Sequence, residues 1–219
     1  MSFEGFPDEG LVFYEGLEAD NSKTYWTRHK TVYDAHVKAP LLAMLEELAS
    51  EFGSAKVFRP YRDVRFSHDK TPYKTHQGAV VHADGRGTGA WYVQISADGL
   101  HVSGGSWRLE SDQVARYRRA VADDVQGPRL QAEVDRLRAE GWGIHGDRLS
   151  RVPAGHDADA PRMDLLKHKS LHASRSWEPD EWLHTRRALE EVQTAWRRLT
   201  TLNAWLADNV GATSKEPRR

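Results

Sequence analysis

The 219-residue chain has no cysteine, only three methionines and almost no charge imbalance, with 31 Lys and Arg against 32 Asp and Glu for a formal net charge of −1. The missing thiols exclude a disulfide framework, a thiolate zinc site and a cysteine nucleophile. The balanced charge removes the electrostatic footprint of a non-specific nucleic-acid binder, so nucleic acid is a disfavoured partner. No stretch approaches the ~20 apolar residues that span a bilayer. The opening Met1-Ser2-Phe3-Glu4-Gly5-Phe6-Pro7 has neither the basic nor the apolar region of a signal peptide. These absences predict a soluble, cytoplasmic protein without membrane attachment. No GxSxG elbow or GxxxxGK[ST] loop occurs, so serine-hydrolase and P-loop chemistry have no support. What the chain does have is 39% hydrophobic residues, including eight Trp, seven Tyr and six Phe. That argues against disorder, and chains of this length hide roughly 70% of their unfolded surface.

The hydrophobic period changes along the chain. Leu11, Tyr14 and Leu17 recur at helical spacing after Pro7, Asp20-Asn21-Ser22 offers caps for a second helix, and Pro40 restarts a third that Gly53 ends. From 55 to 106 the period is two, which predicts strands over 56–59, 61–67, 77–82, 90–95 and 100–104. Asp98-Gly99 marks a tight hairpin, and 83–89 reads as a longer hairpin loop. Helices return over 111–124 and 128–140, with further strands expected over 147–152 and 167–174. Trp182, Leu189, Trp196 and Asn203 lie seven apart, as do Thr185, Val192, Leu199 and Leu206, and together they predict one helix over 179–209. Short turns between consecutive strands make antiparallel neighbours. The expected class is therefore α+β, an antiparallel meander in the middle of the chain packed by N-terminal helices and a long C-terminal helix. A single domain over 1–210 with a flexible tail over 211–219 follows.

Charge is not evenly spread. Between Lys56 and His76 six Lys and Arg (56, 59, 62, 65, 70, 74) face two Asp (63, 69), a local surplus of four. On a strand over 61–67, alternation would place Asp63 and Arg65 on one face, close enough to pair. Charges in a strand are costly to bury unless paired, so such a strand end is either an ionic clamp or a binding surface. The following turn is rich in donors: Ser67, Lys70, Thr71, Tyr73 and Lys74, stiffened by Pro72. Arg offers a planar fork for phosphate or carboxylate and Lys a point charge.

A second basic run, 162–175, contains Lys167 and Lys169 beside His168 and His172. On a strand those histidines would lie ~13 Å apart, and the flanking lysines would repel a cation, so no metal site is assigned and the histidines are read as solvent-facing. Were the two basic runs to meet, their summed field would favour an anionic ligand. The candidate ligand-binding residues are accordingly Arg62, Asp63, Arg65, Lys70, Tyr73, Lys74, Lys167 and Lys169, with Tyr73 or His76 as a possible proton donor. Gly104-Gly105 marks either a strand exit or a place where a ligand or neighbouring backbone approaches closely. Whether the ligand is turned over, which cofactor takes part and which protein partners exist stay open. The competing reading is a non-catalytic interaction or scaffolding domain in which the basic run is a structural ion-pair network.

The run Arg62-Asp63-Val64-Arg65-Phe66-Ser67-x-Asp69-Lys70-x-Pro72-Tyr73-Lys74 resembles the signature of an uncharacterised family, domain-of-unknown-function family 2461. Phe6-Pro7, Leu11, Leu17, Asn21, Trp26, Tyr33 and Pro40 are similar to its helical N-terminus. Trp91-Tyr92-Val93-Gln94-Ile95 with Gly99 and Gly104-Gly105-x-Trp107 resembles its hairpin, and Lys167-x-Lys169 its later basic pair. Ser22 stands where a second Asn is usual, and Tyr25-Trp26 where Trp-Phe is commoner. The resemblance implies a single α+β domain and no established activity.

Overall fold

Pro7 and the acidic pair Asp8 and Glu9 open α1 (Asp8–Ala19), where negative charge meets the unpaired N–H groups of the first turn. Its apolar stripe buries Leu11, Phe13, Tyr14 and Leu17. The computed structural model describes residues 2–65, 68–82 and 88–215. Ser22 caps α2 (Lys23–Val32), its side chain accepting the Tyr25 N–H at 3.1 Å. Pro40 does not restart a separate helix as expected. A π-helical turn over Tyr33–Lys38 carries α2 directly into α3 (Ala39–Phe52), with the Ala39 N–H bonded to the Asp34 carbonyl five residues back. Pro40 cannot donate to the carbonyl four residues earlier and its ring crowds that oxygen; a π turn relieves both conflicts without ending the helix.

Six strands follow: β1 (Ala55–Val57), β2 (His76–His82), β3 (Ala90–Ser96), β4 (Gly99–Ser106), β5 (Gly143–His145) and β6 (Leu171–Trp177). They form one antiparallel sheet in the order β1-β2-β3-β4-β6-β5. The turn at Asp98-Gly99 is as expected, with Gly99 at φ 98°. In β1 and β2 the register sets Ala55 opposite Val81 and Val57 opposite Ala79. Alternation sends Gln77, Ala79, Val81, Val93, Ile95, Leu100 and Val102 into the core. Buried Gln77 is satisfied there, accepting from the Tyr33 hydroxyl at 2.5 Å and donating to the Phe58 carbonyl at 2.7 Å.

Over the described residues 61–65 the strand expected over 61–67 does not form. A single bridge joins Tyr61 to Tyr73, with the Arg62 N–H on the Pro72 carbonyl and the Lys74 N–H on that of Pro60. Between them, side chains take over the backbone donors: Asp63 accepts the Arg65 N–H at 3.3 Å and Asp69 the Thr71 N–H at 2.9 Å. Such local bonds compete with a sheet ladder. Phe66 and Ser67, and the greater part of the loop expected over 83–89, lie outside the described residues.

Asp123 accepts both the Val125 and Gln126 N–H groups at 2.8 Å, so α5 (Gln126–Ala139) starts two residues before Pro128. The preceding α4 (Ser111–Ala122) has a capping box of Glu110 and Gln113. A strand over 147–152 is absent; Arg148 makes only an isolated bridge to His168, and β6 begins at Leu171 after the short α6 (Met163–Leu166). The helix expected from 179 begins instead as a 3₁₀ turn over Glu181–His184, and α7 (Arg187–Asn209) follows. Thr185 causes the break, its hydroxyl accepting the Arg187 N–H at 3.3 Å and its carbonyl the Ala188 N–H at 3.1 Å. Below that point the anticipated stripe holds: Leu189, Val192, Trp196, Leu199, Asn203 and Leu206 are all buried.

The chain gathers into two compact units. The first contains Met1–Val81, Tyr92–Val102 and Ser176–Ala195, the second His82–Trp91, Ser103–Arg175 and Trp196–Arg219. Phe13, Trp26 and Tyr33 pack ring to ring in the first, with centroids 4.8–5.8 Å apart. In the second, Tyr117 meets Trp205 edge-on at 6.0 Å over buried Leu130, Val134 and Leu137. Among the described residues no helix is long and apolar enough to cross a membrane.

Candidate functional site

In the first unit the basic loop is fixed at its two ends and braced within. Asn21 grips Tyr73 like a strand partner, accepting its N–H at 3.0 Å and donating to its carbonyl at 3.1 Å. The Tyr73 ring is buried and stacks on Trp26 at 4.4 Å, tilted by 8°. Burial raises its phenol pKa. Asp63 takes a forked bond from Arg65 at 2.9 and 2.7 Å, which pulls its carboxyl down to about 2. Arg62 donates to Asp69 at 2.5 Å and to the Thr71 hydroxyl at 2.8 Å. Lys70 donates to the Val64 carbonyl at 3.0 Å. The ion pair expected of Asp63 and Arg65 therefore forms, on a loop and not on a strand.

Beyond these pairs two cations remain, Arg59, whose charge helps to lower the Asp63 carboxyl, and Lys74. Lys74 is half-buried, its ammonium 5.3 Å from the centre of the Phe58 ring. Burial and then Arg59 lower its pKa. Half-buried His76 is also held below the usual imidazole value, by burial first and then by Lys74, Arg62 and His101. Among the described residues neither Arg59 nor Lys74 makes a close ion pair with a carboxylate.

His76 opens onto the sheet face opposite the core. Tyr92, Gln94 and His101 are half-buried on that side, as alternation from the buried Val93 and Val102 requires. A Cβ on Gly78 would lie 2.3 Å from the Tyr92 hydroxyl, so the bare glycine is what lets the Tyr92 ring lie over β2. That hydroxyl donates to the Gln94 side-chain oxygen at 2.7 Å, and burial raises its pKa to about 12. The His101 ring stands 6.1 Å from that of Tyr92, and its Nδ1 lies 2.8 Å from the Ser176 hydroxyl. The result is a polar, proton-bearing surface next to Lys74 and His76. Sequence reasoning passed over Tyr92, Gln94, His101 and Ser176, although the period of two already placed Tyr92 and Gln94 on one face. Ser176 carried no such signal, since only strand pairing brings it to His101.

Lys167 and Lys169 belong to the second unit. The Lys169 N–H bonds to the Asp147 carbonyl at 2.6 Å, while its ammonium stays 4.0 Å from the Asp147 carboxylate. Lys167 is half-buried, its carbonyl accepting the Leu149 N–H at 2.8 Å. His168 is not solvent-facing as expected: it is 2% exposed, its Nδ1 lies 2.9 Å from the Ser170 carbonyl, and burial lowers its pKa. His172 is half-buried under Trp107, the rings stacked at 5.4 Å. Gly105, at φ 132°, marks a close approach of neighbouring backbone, for a Cβ there would lie 2.4 Å from the Leu171 carbonyl oxygen. Among the described residues no three His, Asp or Glu side chains gather to hold a metal ion.

A search of curated proteins returns no match to the chain. A family model does match, over residues 9–205, a span that takes in all of α1 but its first residue, all six strands, the basic loop and most of α7. The chain thus belongs to the family described as conserved hypothetical protein (DUF2461).

Proposed function

We propose that the protein binds a small anionic molecule bearing phosphate or carboxylate at the basic loop of its first unit, with Arg59 and Lys74 as the groups that meet the charge and His76 beside them. One observation carries this reading: Arg59 and Lys74 make no close ion pair with a carboxylate among the described residues, and Lys74 is half-buried beside the charge of Arg59. Gathering like charges in a partly desolvated place is unfavourable. An anion bound there would reverse the penalty, and the Tyr92, His101 and Ser176 groups would add hydrogen-bonding capacity beside it. Asp63, Arg65, Asp69 and Lys70 serve a different end, holding the loop in shape. The structural-network reading is favoured for those residues by their forked and bridging bonds, but among the described residues it gives Arg59 and Lys74 no close ion pair.

A thermal-shift screen against phosphorylated metabolites, carboxylates and nucleotides tests the proposal. A ligand at a hundredfold its Kd adds ~2.7 kcal/mol of stability. The shift should disappear in Lys74→Met while the unliganded Tm stays near that of the parent. An equal shift in Lys74→Met and Arg59→Met would overturn the assignment.

A further inference from the structure

The second unit contains a cavity of about 710 Å³, within the roughly 300–1,000 Å³ of small-molecule sites. One face of α4 lines it: Ser111, Val114, Ala115 and Arg118 fall at the i, i+3, i+4, i+7 spacing of a single helical stripe. The core stripe of the same helix is a different one, made of Gln113, Tyr117 and Val121. α4 therefore presents apolar Val114 and Ala115 to the cavity. Leu109 and Leu149 continue the apolar lining, and Trp107 stands at it with 39% of its surface exposed.

The charges lining the cavity do not cancel. Arg118 Nε donates to the Leu166 carbonyl at 3.1 Å, which anchors the guanidinium. Among the described residues its two terminal nitrogens have no partner. Lys169 reaches the cavity in a long ion pair, 4.0 Å from Asp147, the one acid lining it against three cations. Arg108 is the third cation and is answered by Glu110 at 3.2 Å. A second cavity of equal size, between α5 and α7, makes the contrast. Its Arg136 is held by both Glu133 and Glu140 at 2.8 Å, and its lining sets Arg129 and Arg136 against Glu133 and Asp208, so the charges there balance.

An anchored guanidinium is pre-organised for a planar or tetrahedral oxyanion, and an indole offers a flat apolar surface to a ring. We infer that this cavity binds a small anion carrying an aromatic ring, an aryl phosphate or aryl carboxylate, with the anionic group on Arg118 and Lys169 and the ring against Trp107, Leu109 and Val114. This site is independent of the one proposed at the basic loop.

Calorimetric titration with phenyl phosphate, inorganic phosphate and phenol tests it. Phenyl phosphate should bind at least tenfold more tightly than either of its parts. Arg118→Met and Lys169→Met should each weaken it tenfold or more, and Trp107→Ala should remove the preference for phenyl phosphate over inorganic phosphate. Lys169 is exposed, so its variant carries the test even if Arg118→Met fails to fold. Unchanged affinity in Lys169→Met, or no preference for the aryl ester in the parent protein, would overturn the inference. So would a loss confined to Lys74→Met, which would move the binding to the basic loop; conversely, loss in Lys169→Met with Lys74→Met unaffected supports the cavity whatever becomes of the loop.

Discussion

Residues 59–76 and 162–175 are both dense in Lys and Arg, yet they resolve their charge in opposite ways. In the first run the partners are close in sequence: Arg65 bonds Asp63 two residues away, Lys70 bonds Val64 six away and Arg62 bonds Asp69 seven away. In the second run they are distant. Arg162 donates to the Val121 carbonyl at 2.7 Å, 41 residues back, and to those of Ala122 and Asp123 at 3.4 Å. Arg175 donates to the Glu140 carbonyl, 35 residues back, with its guanidinium 4.6 Å from the Trp142 ring centre. These carbonyls end α4 and α5, where the helix dipole favours a cation. A basic run can thus shape its own loop or bolt remote helix ends, and composition does not say which. Lys74 with Arg59 at the basic loop, and Arg118 with Lys169 at the α4 cavity, are the cations that mark the candidate sites.

Measurements on single variants tell the two runs apart. The largest effect is expected from Gly105→Ala, because the added methyl would meet the Leu171 carbonyl oxygen at 2.4 Å and the His172 Cα at 2.5 Å at a φ of 132°. Overpacking and backbone strain together should cost about 3 kcal/mol or more, read by urea denaturation. If the variant were as stable as the parent, the second run would not depend on strand β6 being seated against β4. Next comes Arg162→Ala. Losing charged hydrogen bonds at the end of α4 should cost about 2 kcal/mol, and a loss no larger than that of Arg65→Ala would erase the distinction between the runs.

His76 supplies a pH signature. Its folded pKa lies below the ordinary value near 6.5, so the fold favours the neutral ring. The stability it contributes is complete above about pH 6.5 and is lost as pH falls from there toward the folded pKa, because the unfolded chain takes up the proton first. Buried His168 acts with the same sign, so His76→Gln should flatten the Tm profile between pH 7.5 and 5 in part and not completely. A ligand anion should raise the His76 pKa, visible as an upward shift in its imidazole proton titration. The smallest effect belongs to Arg65→Ala: the side chain is 76% exposed and its pair with Asp63 is screened by water. Its Tm should match the parent's within error, while a drop like that of Arg162→Ala would make Arg65 a structural clamp.

How far the sequence could be read varied with the range of the interactions involved. The hairpin at Asp98-Gly99, the Ser22 cap, the stripe of Leu189, Val192, Trp196, Leu199 and Leu206 and the alternation in β2 to β4 are patterns of neighbours, and all stand where they were expected. The strand over 61–67 misled because its alternation was genuine while Asp63 and Asp69 diverted the backbone donors. The start of the last helix misled because the seven-residue spacing extends past Thr185, whose cap ends the pattern. At the candidate site, the Arg62 to Lys74 run was legible as a concentration of charge. Its division into braced residues and Lys74 was not, nor was the neighbourhood of His76, Tyr92, His101 and Ser176, which depends on which strands lie side by side.

By itself the sequence determined the α+β class, the antiparallel hairpins and the places where basic side chains collect, since periodicity, turn chemistry and local charge act over a few residues. The tertiary structure alone decided which of those side chains would find a counter-charge and which would be half-buried without one. Desolvation and pairing depend on atoms far away along the chain and close by in space.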